Sequence, residues 1–95
     1  MYVEHYDTRA NSTLNIKLPI KSYSILVKNF TNGDIRITLN KIYDTDEDNY
    51  ILIPANYSQE LTINKRHELD YKINRISIHA ESTQALGVEV QCLTF

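Results

Sequence analysis

Apolar and polar residues alternate with a period of two along most of this chain, the spacing of half-buried β-strands. From Thr13 to Leu18, Leu14, Ile16 and Leu18 fall on one face, and Pro19, which has no amide proton for a ladder, is expected to end the strand. Ser22–Phe30 is rich in β-branched and aromatic residues, and Asp34–Ile42 alternates again. Thr31-Asn32-Gly33 between them predicts a hairpin. A two-residue loop would split the apolar residues over both faces. A three-residue loop sets Val27 opposite Ile37, Ile25 opposite Leu39 and Lys28 opposite Arg36, with Gly33 at positive φ as a bulge, so burial favours that register.

Beyond the hairpin, Tyr50–Ile53 reads as a short strand ended by Pro54 and a turn through Ala55-Asn56-Tyr57. Gln59–Asn64 follows with Leu61 and Ile63 inward, and Lys65–Lys72 reads as a loop containing a brief edge strand. Ile73–Ala80 puts Ile76, Ile78 and Ala80 on one face and Ser77 and His79 on the other. After a turn over Glu81–Leu86, Gly87–Thr94 directs Val88, Val90 and Cys92 inward. About seven short strands separated by turn signals predict an all-β fold, an antiparallel β-sandwich of jelly-roll-like form. Residues 1–12 show no periodicity and are expected to form an N-terminal arm, frayed or ordered on a neighbouring subunit, leaving 13–95 as a single sandwich domain.

Ninety-five residues, 42% of them hydrophobic, suffice for one domain with a modest core. The net charge of −2 and the scatter of the ten Lys and Arg residues argue against nucleic acid as a partner. No run approaches the roughly 20 apolar residues that span a bilayer, so no membrane partner is expected. The start of the chain lacks a basic region followed by an apolar one, so it is expected to stay in a cytoplasm until assembly. Cys92 is the single cysteine, in an alternating run where a buried, inert thiol is expected. The sequons at Asn11, Asn29 and Asn56 are what this Asn-, Ser- and Thr-rich composition produces by chance.

The acidic stretch after Tyr43 is the nearest thing to a metal site. Asp44, Asp46 and Asp48 occupy the first, third and fifth positions of a calcium loop, but Asn49 stands at the glycine position and Ala55 at the bidentate glutamate. The EF-hand reading fails, leaving a solvated loop or a weaker calcium site. His5, His67 and His79 show no metal-ligand spacing with one another or with Cys92, and no Gly-x-Ser-x-Gly elbow is present. Glu60, Glu68 and Glu81 could pair as acid and base only in a concave pocket, which sandwiches of this size rarely form. No enzyme and no cofactor are expected. Seven tyrosines without a tryptophan are more informative: Tyr2, Tyr6, Tyr43, Tyr50 and Tyr57 fall at strand ends, turns or the arm, and are candidates for a protein interface.

Three segments carry a resemblance: Val27-Lys-Asn-Phe-Thr-Asn-Gly-Asp-Ile35, Ile51-Leu-Ile-Pro-Ala-Asn-Tyr-Ser-Gln-Glu-Leu61 and Ile76-Ser-Ile-His-Ala-Glu-Ser-Thr-Gln-Ala-Leu-Gly-Val-Glu-Val90. Together they resemble the small β-sandwich proteins and domains of tailed-bacteriophage virions, over roughly residues 20–93. The resemblance implies a multi-copy structural component of a virion, such as a capsid decoration, head-fibre, neck or tail-associated subunit. Its partners would be other virion subunits or copies of itself. The motifs are structural punctuation, so no catalytic residue carries over, and residues 1–12 depart from the pattern. A carbohydrate-binding module, with Tyr43, Tyr50 or Tyr57 stacked on sugar, is the alternative, and a calcium-stapled module the third reading. On the arm reading, deletion of residues 1–12 leaves the domain folded and weakens assembly.

Overall fold

A computed structural model of the chain describes residues 2–41, 43–44, 49–63 and 72–94. Eight strands are formed: β1 (Tyr2–Thr8), β2 (Ser12–Ser22), β3 (Ser24–Asn29), β4 (Ile35–Leu39), β5 (Ile51–Ile53), β6 (Ser58–Thr62), β7 (Ile73–Ala80) and β8 (Gln84–Thr94). A front sheet runs β1-β8-β3-β6 and a back sheet β2-β7-β4-β5, every pairing antiparallel. One path explains this order. Fold the chain into a long hairpin about the β4–β5 connection, and β5 lies on β4, β6 on β3, β7 on β2 and β8 on β1. Rolling that ribbon up brings β8 beside β3 and β7 beside β4, and all six pairings are present. The fold is a jelly roll, with one strand more than the sequence pattern marks.

The alternation assigns faces correctly. Ile25, Val27, Ile35, Ile37, Ile76, Ile78, Val88, Val90 and Cys92 are wholly buried between the sheets. Each such isoleucine contributes about 1.5–3 kcal/mol relative to exposure. Cys92 is a free, buried thiol.

The hairpin expected across Gly33 does not form. β3 belongs to the front sheet and β4 to the back, so residues 30–34 are an arch that crosses the sandwich. Residues that share one apolar face can be buried side by side in one sheet or face to face across two. Here β8 and β6 flank β3, and the second arrangement holds. The Asn29 carboxamide takes the place of hairpin rungs. Its Oδ1 accepts from the Thr31 amide at 2.9 Å, and its Nδ2 lies 2.9 Å from Gly33 O and 3.1 Å from both Ile53 O and Pro54 O. Gly33 does not take positive φ; Asn11, Asn40, Asn56 and Leu86 do.

Two further expectations are corrected. The supposed arm contains β1, which pairs with β8 from Tyr2↔Cys92 to Thr8↔Gln84. Its residues lack a clean alternation because this edge strand carries Glu4 on the same side as Tyr2 and Tyr6, where the rim of the sandwich admits a carboxylate. Pro19 does not end β2, which runs on to Ser22 with an irregular register after Lys17; on an edge strand a missing amide proton breaks no ladder. Of Lys65–Lys72, only Lys72 lies within the described residues.

Two outcomes follow from this framework. Asn29→Ala leaves several buried carbonyls and an amide unsatisfied, so urea unfolding is expected to show a loss of about 3 kcal/mol. Deleting residues 1–8 uncovers the β8 edge over Val88 and Cys92, and the same measurement is expected to fall by more than about 2 kcal/mol. An unchanged midpoint would restore the arm reading.

Candidate functional site

The rolled ribbon gathers four connections at one end: 9–11, 30–34, 54–57 and 81–83. Side chains tie them together. Thr31 Oγ1, on a fully buried residue, lies 2.7 Å from both Asn29 Oδ1 and Gly33 O, one hydroxyl proton between two acceptors. The Phe30 amide donates to Gly87 O at 2.8 Å and the Asn29 amide to Tyr57 O at 2.9 Å. Thr8 Oγ1 donates to Ser82 O at 3.0 Å, and the Ala10 amide donates to Thr83 Oγ1 at 3.0 Å. Gly87 sits where β8 passes between Thr8 and the arch: a Cβ there would lie 2.7 Å from Thr8 Oγ1 and 2.9 Å from Thr31 Cγ2.

This braced end displays three large apolar side chains. Phe30 is 48% exposed, Tyr57 64% and Leu86 59%. Leu86 also holds a left-handed backbone, φ 51°, with its amide donating to Asp7 Oδ1 at 2.8 Å. A Cβ-branching or bulky side chain is a poor occupant of that region, where Gly or Asn is the usual choice.

The tyrosines divide. Tyr2 and Tyr6 line the inner side of β1, half-buried against the core, with their hydroxyls 2.9 Å apart. Burial, then the bond to Tyr2, raises the Tyr6 phenol above its ordinary value. Tyr43 is buried over the outer face of the back sheet, its ring stacked on His79 at 4.9 Å and edge-on to Tyr50 at 6.3 Å. Arg36 lies 5.2 Å from the Tyr50 ring centroid, and its hydrogen bond to Tyr43 raises its pKa. His79 does point outward, but this cap leaves it 8% exposed, with Nδ1 3.0 Å from Thr13 Oγ1. Of the five interface candidates, only Tyr50 and Tyr57 stay substantially exposed, and they lie at opposite ends of β5. Phe30 and Leu86 were not singled out in the sequence; the available signal was one apolar residue inside an otherwise polar turn.

The other expected groups are not brought together. Asp44 is exposed, while Asp46 and Asp48 lie outside the described residues. Among the described residues no three His, Cys, Asp or Glu side chains converge on a metal position. Glu60 sits on the front sheet's outer face, its Oε2 3.1 Å from Ser24 Oγ; Glu81 is on the β7–β8 connection, and Glu68 is outside the described residues.

One carboxylate is organised. Glu89, on the outer face of β8, is 8% exposed and lies 2.5 Å from Gln91 Nε2, 2.7 Å from His5 Nε2 and 3.3 Å from Lys28 Nζ. Its pKa is lowered, first by the Gln91 bond and then by His5 and Lys28, against the opposing effect of burial. The cluster joins β1 and β3 to β8.

These features define an eight-stranded jelly roll with a braced, apolar loop end. No protein-family model, curated protein or solved structure matches the chain.

Because the folded pKa of Glu89 is depressed, its contribution is present above the ordinary glutamate value, about 4.3, and is lost as pH falls through the folded value. Urea midpoints of Glu89→Gln are therefore expected to lie below wild type at pH 7, with the gap closing as pH falls below the ordinary glutamate value.

Proposed function

We propose that the chain is a non-enzymatic structural subunit of a tailed-phage virion, of the capsid-decoration or head-, neck- or tail-associated kind. It works through contacts with other virion subunits or copies of itself, and its place is the assembled particle. The observation that carries this reading is Leu86. A leucine at positive φ costs about 1–2 kcal/mol, and exposure to water returns none of it. Burial of the same side chain in a subunit contact would offset the strain. Phe30 and Tyr57, exposed at the same end, add the composition of an interface centre: large apolar or amphipathic side chains on a rigid support. The connections 30–34, 54–57 and 81–83, one in each of the three segments that resemble virion proteins, belong to this end.

The sugar-binding alternative has less support. Of the three rings it calls on, Tyr43 is buried, and Tyr50 and Tyr57 lie at opposite ends of β5 rather than on one platform.

Light scattering after size exclusion is expected to give a concentration-dependent mass above the 11.1 kDa monomer. Leu86→Asn is expected to lower that mass while raising unfolding stability by about 1 kcal/mol, because asparagine tolerates the left-handed region. Phe30→Ser combined with Tyr57→Ser should also yield monomer. Assembly that persists in all of these variants removes the loop end from the proposal. Peptides of this chain in purified virions would test its location.

A further inference from the structure

A second surface stands apart from the loop end and does not depend on the virion reading. Lys17 on β2 and Arg75 on β7 are Cα partners in the back sheet. Their neighbours Ile16 and Ile76 are buried inward, so both cations emerge on the outer face. Like charges directly opposed across an antiparallel pair repel. Glu89 takes its cations from His5 and Lys28, and among the described residues neither Lys17 nor Arg75 has a carboxylate partner. The chain as a whole carries −2, so two uncompensated cations side by side are not a by-product of a basic composition.

These two side chains, with Asn40 and Asn74, line a cleft of about 260 Å³. The Asn40 carboxamide is engaged at both its oxygen and its nitrogen. Its Oδ1 accepts from the Asn74 and Arg75 amides at 2.9 and 3.3 Å, and its Nδ2 donates to Lys72 O at 2.9 Å. Its own amide donates to Arg75 O at 2.8 Å, and its left-handed φ of 60° permits this geometry. Asn40 therefore sets the backbone that carries Asn74 and Arg75. The Asn74 side chain is exposed and makes no hydrogen bond within the described residues. The cleft thus offers an ammonium, a guanidinium and a carboxamide, with no carboxylate among the described residues that line it.

We propose that this cleft is an oxyanion site for a phosphate-class dianion, free or as a monoester. Lys17 acts as a point charge, the Arg75 fork takes two oxygens, and the Asn74 amide donates to a third. The ligand would turn a repulsive pair into a bridged one.

The test is a titration of the full chain with inorganic phosphate, followed by amide chemical shifts, with chloride holding the ionic strength constant. Saturable shifts at Lys17, Asn74 and Arg75 are expected. Lys17→Gln and Arg75→Gln should each weaken binding about tenfold, the worth of one charge-assisted contact. Without phosphate, both variants should melt higher than wild type, since the repulsion is gone. Asn74→Asp should abolish the response. Glycerol 3-phosphate binding tighter than inorganic phosphate would point to an esterified ligand, and weaker binding to the free anion. Shifts that do not saturate, that chloride reproduces, or whose midpoint is unchanged in Arg75→Gln overturn the proposal. So does a lower melting temperature in both glutamine variants.

Discussion

The buried carboxamide of Asn29 is the interaction on which the rest of the architecture depends. It stands where the chain leaves the front sheet for the back, and its two ends satisfy groups on both sides of that crossing: the Thr31 amide and Gly33 O in the arch, Ile53 O and Pro54 O at the end of β5. Backbone groups at a sheet-to-sheet crossing have no ladder to enter, and leaving them unpaired in a dry interior would cost more than any one apolar contact there returns. One amide side chain solves this for two connections at once. It also joins the two halves of the rolled ribbon, because the arch precedes the β4–β5 midpoint and Pro54 follows it.

The same economy shapes the loop end. Thr8, Thr31, Asp7 and Thr83 each hydrogen-bond a neighbouring backbone group there. Gly87 keeps the strands close enough for those bonds to form. Rigid support is what allows Leu86 to persist at an unfavourable φ, since the surrounding bonds over-determine its backbone. On the proposed reading, the end is a preorganised contact surface, with little conformational entropy left to lose on association. The outer faces of the two sheets are different in kind. The front one carries the Glu89 cluster and the back one the Tyr43–His79 cap.

How much of the candidate site was legible in the sequence can be read residue by residue. Tyr57 was visible because it sits in a Pro-Ala-Asn turn, where an aromatic has no core to enter. Phe30 and Leu86 were absorbed into a strand end and a turn, because sequence shows no exposure. Tyr43 looked like a surface ring and is buried, because its ring stacks on His79. Tyr2 and Tyr6 looked like part of an arm, since an edge strand on the rim needs no strict alternation. Lys17 and Arg75 are 58 positions apart, 75 − 17, and only the β2–β7 register sets them face to face.

By itself, the sequence determined the all-β class, most strand positions and which side chains face inward. Those follow from a period of two and from the turn residues, which are local properties of the chain. It did not determine which strand pairs with which. Ile25 and Val27 are equally well buried beside Ile37 in one sheet or across the core from it, because burial is non-directional. Tertiary structure decided between these through directional interactions: the Asn29 bonds, the ladders of β8 with both β1 and β3, and the close passage at Gly87. Those contacts join residues far apart in the chain, so no local pattern could have announced them.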